Sequence, residues 1–144
     1  MPLATCSLLV SQWIQGKFAA RWFSTDKCVH TKGVWPQLEK ARSRELLRLS
    51  KPNMSRMVGV ITGHCLLGVH ALRLKAREGT FCRSCMEEEL ESPKHIVLQC
   101  PAFARTRGKL LGSFIFNSWK ELEAISLARI SRFVKNSGTL DRDQ

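Results

Sequence analysis

The sequence predicts a mostly α protein: a small helical domain with a zinc-stapled Cys-x2-Cys / His-x4-Cys segment. Its 144 residues are 44% hydrophobic, which is enough to bury a core in one ordinary domain or two small ones. Apolar residues recur at helical spacing in several stretches. Residues 81–101 contain three of the six cysteines and one histidine, a density that indicates a metal site.

Residues 1–36 are predicted to form an N-terminal helix followed by a basic connector. In the helix, Trp13 and Phe18 lie with Trp22 roughly on one stripe. The two tryptophans are therefore expected to pack in the core, with base stacking as their functional alternative. From residue 24 onward the segment is rich in turn-forming residues and is expected to be irregular.

Residues 37–77 are predicted to be a basic helical segment. Its first helix is expected to end before Pro52, because the residue before a proline is biased towards extended backbone. The apolar run of residues 57–74 barely reaches the length of a membrane span and is interrupted by polar residues and glycines. Two buried helices joined near Gly63 and His64 are expected instead, and a membrane is not an expected partner.

Residues 78–112 are predicted to be the zinc-binding module, and residues 113–144 a C-terminal amphipathic helix with a frayed tail. That helix is expected to be capped by Asn117 or Ser118 and to end at Gly138. Both cap residues carry a side-chain oxygen that can accept from the first free N–H groups of a helix. Glycine tolerates the left-handed backbone that commonly follows a helix.

A short helix is predicted inside the zinc-binding module. Ser92 is a natural N-cap and Pro93 a natural first helical residue, which puts His95 in the first turn. On an ideal α-helix Cys100 would lie about 140° round from His95, so the helix must loosen before Cys100. Pro101 supplies the break, because it disfavours helical backbone at the preceding residue.

Four side chains of the module are predicted to bind Zn²⁺, namely Cys82, Cys85, His95 and Cys100. Two intervening residues let the first two thiolates face one ion, and four nitrogen and sulfur ligands suit a closed tetrahedral zinc site. Thiolate ligands argue against magnesium and calcium. Buried thiols beside a chance histidine are the alternative, and a catalytic zinc is not expected because no position is left for water. The nearby acids are interpreted as solvated surface groups or as groups that support the ligands: Glu87, Glu88, Glu89 and Glu91.

The chain is strongly basic, with 23 Lys and Arg against 12 Asp and Glu and a formal net charge of +11. Such a charge attracts polyanions, and nucleic acid, as RNA or DNA, is the expected partner. Six basic residues that have few acids nearby are predicted to contact phosphate. The alternative is that they only form a solvent-exposed face. They are Lys40, Arg42, Arg44, Arg48, Lys51 and Arg56.

The first residues lack the charged opening and the sustained apolar run of a secretory signal. An intracellular location, nuclear or cytoplasmic, is therefore expected. In a reducing compartment, clustered cysteines are more often metal ligands than disulfides, which favours the zinc interpretation.

A resemblance to a known family rests on the order of five short features. They are the Thr62-Gly63-His64 segment, the Cys82 and Cys85 pair, the acidic run from Glu87 to Glu91, His95, and Cys100 with Pro101. In this order they resemble the C-terminal tail of the jockey-like non-LTR retrotransposon reverse-transcriptase polyprotein, after its polymerase and RNase H regions. Ser92 stands where the family often has threonine. The resemblance covers about residues 20–112.

The resemblance implies a nucleic-acid-binding zinc module that associates with the reverse-transcriptase polyprotein. The chain lacks the Phe/Tyr-x-Asp-Asp core of the polymerase and the separated carboxylates of RNase H. Polymerase or nuclease activity is therefore not expected of this chain alone. The alternative is a zinc-structured protein-interaction scaffold that docks on the polyprotein or on a host protein, and an exposed apolar patch would favour it.

Overall fold

The computed structural model describes residues 2–75 and 78–140, and this part of the chain is mostly helical and contains no strand. The α-helices are α1 (Leu3–Ser24), α2 (Val29–Val34), α3 (Lys40–Leu47), α4 (Lys51–Thr62), α5 (Gly68–Arg73), α6 (Ala104–Leu111) and α7 (Leu127–Ser137). A π-helical turn spans His95–Gln99, and 3-10 turns span Pro101–Phe103 and Trp119–Leu122. The predicted fold class, a small mostly helical domain with a clustered Cys/His segment, is confirmed.

Helix α1 lies outside the core. None of its residues is buried, and Trp13 is 64% exposed, so the expectation that Trp13 packs in the core is wrong. Trp22 is half-buried and stacks on Phe18, with 6.0 Å between the ring centroids. The expected single stripe does not form, because apolar residues occur on every side of this helix. Its exposed large apolar side chains are Leu3, Leu8, Leu9, Val10, Trp13, Ile14, Phe18 and Phe23.

The expected irregular connector contains the short helix α2, which packs against α4. His30 Nε2 lies 2.8 Å from the carbonyl oxygen of Val60, and this contact joins the two helices. The expectation that the connector is irregular throughout is therefore wrong. A tertiary contact to α4 stabilises a segment whose turn-forming residues alone would not favour a helix.

Pro52 begins a helix rather than ending one. It lies at the start of α4, where the missing N–H has no intrahelical partner to lose, whereas α3 has already ended at Leu47. Helix α4 ends at Gly63, whose φ of 76° is a left-handed conformation that glycine adopts readily. The predicted pair of helices joined near Gly63 and His64 is present as α4 and α5, but α5 is only partly buried, with Leu72 43% exposed. No helix among the described residues is long and apolar enough to cross a bilayer.

One hydrophobic core lies between α4, α6, α7 and the π-helical turn. Met57 and Val60 of α4 are buried in it together with Val97 and Leu98 of the turn and Phe133 of α7. A smaller cluster of Leu67, Cys82, Ile96 and Cys100 lies beside it. The three predicted segments that follow residue 36 therefore contribute to one core and pack as one body.

The C-terminal helix is shorter than predicted. Ser118 and Glu121 form a capping box, but the turn that follows is only a 3-10 turn. Helix α7 begins separately, with the Ser126 hydroxyl accepting from Arg129 N–H, and ends at Gly138 as predicted. The serine at 126 offers a second N-cap, which is why one continuous helix does not form. The last four residues of the predicted frayed tail lie outside the described residues.

Candidate metal centre

The fold brings all four predicted ligands together. One potential ligand atom from each of Cys82, Cys85, His95 and Cys100 lies within 4.8 Å of every other. Cys82 and Cys100 are buried, His95 is 6% exposed, and Cys85 is half-buried at the edge of the cluster. The arrangement is a Cys3His centre that could bind a metal ion.

Backbone hydrogen bonds close the loop that carries the first two cysteines. Cys82 N–H donates to Glu89 O at 2.8 Å, and Glu91 N–H donates to Thr80 O at the same distance. These bonds join the chain before Cys82 to the end of the acidic run, and so close a loop that contains both cysteines. The charged side chains of residues 87–89 are exposed on it, as expected for surface acids.

Glu91 is an exception among these acids, because its side chain is buried and only 2% exposed. Its Oε2 accepts from the backbone N–H of Arg83 at 2.9 Å, and its Oε1 lies 3.1 Å from Arg83 Nη2. Since Arg83 lies between Cys82 and Cys85, the carboxylate fixes the turn that presents both thiols. Gly68 of α5 makes this packing possible, because a Cβ there would approach the carbonyl oxygen of Glu91 to 2.1 Å.

The π-helical turn positions the other two ligands. The Ser92 hydroxyl accepts from His95 N–H at 3.1 Å, so the predicted cap is confirmed. Cys100 N–H then donates to His95 O at 2.6 Å, an i+5 bond that widens the turn by one residue. This widening returns Cys100 towards the side of His95, which an α-helix would not do. Cys100 itself has ψ of 120°, the extended value expected before Pro101.

Two distances within the cluster are close to those of a tetrahedral zinc site. Bonds of about 2.3 Å to sulfur and about 2.0 Å to nitrogen would separate two sulfurs by about 3.8 Å, and a sulfur from a nitrogen by about 3.5 Å. The Sγ atoms of Cys82 and Cys100 are 3.8 Å apart, and Cys85 Sγ is 3.4 Å from His95 Nε2. A disulfide would need about 2.05 Å between sulfurs, so the cysteines are free thiols placed at ligand separations.

Burial changes the acidity of Cys100. Loss of solvent raises the pKa of this thiol to about 12, and the neighbouring Cys82 and Cys85 thiols add to the increase. Without a metal, the Cys100 side chain is therefore protonated at neutral pH. A zinc ion that binds here must displace that proton, because the thiolate is the form that coordinates metals.

A buried arginine that sequence reasoning missed supports this turn from the other side. Arg107 of α6 is 0% exposed and donates to the carbonyl oxygens of Ile96, Val97, Cys100 and Phe114 at 2.6–3.0 Å. Three of these acceptors belong to the chain from the π-helical turn to Cys100, whose i+5 geometry leaves carbonyls without intrahelical partners. Burial lowers the pKa of Arg107, and its guanidinium also lies 5.6 Å from the Phe133 ring centroid.

The six predicted phosphate contacts fall into two groups. Lys40 and Arg44 are exposed on α3, Arg48 directly after it and Lys51 at the start of α4. Arg42 and Arg56 are half-buried and make hydrogen bonds within the protein. That these residues contact phosphate stays a prediction.

Arg42 links α3 to the chain before α7. Its Nη1 donates to Ile125 O at 2.7 Å, and its Nη2 donates to Leu122 O at 3.1 Å. It also pairs with Glu45, whose carboxylate accepts from Leu127 N–H. Arg42 is therefore part of the fold's internal hydrogen bonding, and substituting it would disturb packing as well as charge.

The fold and the site together define a small helical protein with a Cys3His candidate metal centre. No family model matches the chain, and no curated protein or solved structure matches it either. What the centre can do chemically follows from its own ligands. Four protein ligands leave no open position on a tetrahedral ion, so the arrangement suits a structural metal rather than a catalytic one.

Proposed function

We propose that the protein is a nucleic-acid-binding module whose fold is stabilised by Zn²⁺. The observation that carries the proposal is the group of four exposed cations on α3, directly after it and at the start of α4, in a chain of net charge +11. Exposed lysine and arginine side chains bind phosphates by displacing condensed counterions. The zinc ion, bound by the Cys3His centre, has a structural role. It orders the loop that carries Cys82 and Cys85 and the π-helical turn beside the core.

The proposal includes an origin in the C-terminal tail of a jockey-like reverse-transcriptase polyprotein, with which the module would associate. The order of the sequence features supports this origin. The three cysteines and the histidine of these features come together here, with their ligand atoms within 4.8 Å of one another, and the acidic run lies in the chain between Cys85 and His95. A basic module without polymerase or nuclease motifs is suited to bind element RNA or target DNA beside the polymerase.

The test compares two variants of equal charge. Changing Lys40, Arg44, Arg48 and Lys51 together to Gln should weaken oligonucleotide binding and reduce the slope of log affinity against log salt by about three units. The control changes four exposed cations elsewhere to Gln: Lys109, Lys120, Arg132 and Lys135. The control should retain most of the slope. Equal losses in both variants would show that net charge, and not this surface, accounts for binding.

Helix α1 favours a second candidate function, that of a protein-interaction scaffold. Eight large apolar side chains are exposed along it. Soluble monomers rarely expose so many apolar side chains together, and such surfaces usually mark sites where a partner docks. The partner would be the reverse-transcriptase polyprotein or a host protein. Changing Leu9 and Ile14 to Glu should then abolish co-sedimentation with the polyprotein and leave oligonucleotide affinity unchanged.

A further inference from the structure

A groove of about 290 Å³ lies where the end of α1 meets α2, α3 and α4. Its apolar surface comes from α1, α3, α4 and the α2–α3 connection: Phe18, Trp22, Trp35, Leu38, Leu46, Val58 and Ile61. Its polar groups are uncharged side chains: Thr31, Gln37, Ser43 and Thr62. Helix α2 contributes only Thr31 to the groove. Apolar clefts with a few convergent polar groups are typical of sites for small organic ligands.

Phe18 is the most accessible ring of this groove. Its side chain is 40% exposed, and it also lines two adjoining openings of about 300 and 270 Å³. One side of the ring is occupied by Trp22, which lies nearly parallel to it with an interplanar angle of 15°. Lys32 Nζ lies 5.4 Å from the Trp22 ring centroid, so the Lys32 ammonium, the Trp22 indole and the Phe18 phenyl ring form one stack. A further planar ring would extend this stack on Phe18.

Exposed cations flank the groove on three helices. Arg21 follows Phe18 by three residues on α1 and lines one adjoining opening. Lys40 precedes the groove residue Ser43 by three residues on α3, and Lys51 precedes Val58 by seven on α4. Residues three or seven apart share a face of an α-helix, so each cation lies on a face that contributes to the groove.

The acids of the surrounding stretch are fewer than its cations. They are Asp26, Glu39 and Glu45. Glu45 is already paired with Arg42, so it does not compete for the flanking cations. The groove therefore combines an apolar, aromatic interior with a positively charged rim, which complements a flat, uncharged ring attached to phosphates.

We propose that this groove binds an unpaired base of a single-stranded nucleic acid. The base stacks on Phe18, its edge faces the amide of Gln37, which can both donate and accept, and the adjacent phosphates contact Lys40, Lys51 and Arg21. A base within a duplex is stacked and paired, so it cannot enter such a groove without being extruded. This inference rests on the proposed nucleic-acid binding and adds to it a strand preference and a base-stacking site.

The experiment measures the affinity of the zinc-loaded full chain by fluorescence anisotropy for three probes of equal length. They are single-stranded oligothymidylate, the same strand with abasic sites, and a duplex. The wild-type protein should bind the first probe about tenfold or more tightly than the abasic strand, because one base stacked on an aromatic side chain is worth that much. Phe18→Ala should remove the difference between these two strands, and its salt slope should stay as in the wild type.

Phe114→Ala is the matched control, because Phe114 is 69% exposed and lies beside α6, away from the groove. It should bind all three probes as the wild type does. The base-stacking site would be overturned if binding depended on salt but the affinities for the intact and abasic strands were equal, or if Phe18→Ala left their difference unchanged. Either result would leave the proposed phosphate binding intact. Absence of binding to every probe would overturn both. Salt-insensitive self-association that Phe18→Ala abolishes would show instead that the groove is a protein interface.

Discussion

The carboxylate of Glu91 is buried against Arg83, with 3.1 Å between Oε1 and Nη2, although the Arg83 side chain itself is 45% exposed. The same carboxylate accepts from the Arg83 backbone N–H. One buried acid therefore fixes both the main chain and the side chain of the residue that follows Cys82. It thereby fixes the backbone between Cys82 and Cys85, whose thiols both belong to the Cys3His cluster.

We predict that Glu91→Gln lowers zinc affinity by about 10- to 100-fold, the usual effect of removing a group that orients metal ligands. The amide retains the size of the side chain but loses the charge that pairs with Arg83. Competition with a chromophoric chelator measures the change. Glu88→Gln is the control, because Glu88 is exposed on the same loop, and it should leave the affinity unaltered. Equal affinities for both variants would mean that the ion pair has no part in holding the ligands.

Arg107→Met is predicted to reduce the free energy of unfolding of the zinc-loaded protein by about 3 kcal/mol or more. Methionine fills much of the space but donates no hydrogen bond to the buried carbonyl oxygens of Ile96 and Val97. The carbonyl oxygen of Cys100 keeps a second donor, the N–H of Phe103. Urea denaturation followed by circular dichroism would measure the loss. Arg105→Met on the exposed side of α6 should change stability little. If the two substitutions cost the same, the hydrogen bonds of Arg107 would not be what stabilises the turn.

The metal centre could be predicted from the sequence because its determinants are local. The two-residue gap of the first cysteine pair, the Ser92 cap and the break before Pro101 each act within a few residues. The need for a loosened helix between His95 and Cys100 followed from helix geometry alone. The π-helical turn is the form that this loosening takes.

Other features depend on tertiary contacts and could not be read from local pattern. Glu91 looks like one more acid in an acidic run, and only its place beside the Ser92 cap sets it apart. Arg107 looks like a surface cation of α6, because its acceptors are carbonyls that carry no sequence signal. Trp13 lies in an apolar stretch that predicts burial, yet no other element covers it among the described residues.

One zinc ion per chain is expected in protein purified without chelator. Cys85→Ser should lose most of this metal, because serine cannot replace a thiolate ligand, whereas Cys28→Ser at an exposed position should retain it. Elemental analysis gives the stoichiometry. In hydrogen exchange, removal of zinc should loosen the loop of residues 78–92, while Val97 and Leu98 stay protected because they lie in the shared core. A folded protein without metal whose exchange is identical in chelator would contradict the zinc assignment.

The six cysteines are predicted to react with a thiol reagent in three classes. In zinc-loaded protein at about pH 8, Cys6 and Cys28 should react at once because both are exposed. Cys65 should react slowly, since burial raises its pKa to about 12 and leaves very little thiolate; its rate should rise about tenfold per pH unit. The three ligand cysteines should become reactive only after chelation. Cys28→Ser, the control, should reduce the fast class to one thiol, and rapid modification of all six thiols with zinc present would refute the assignment of the ligands.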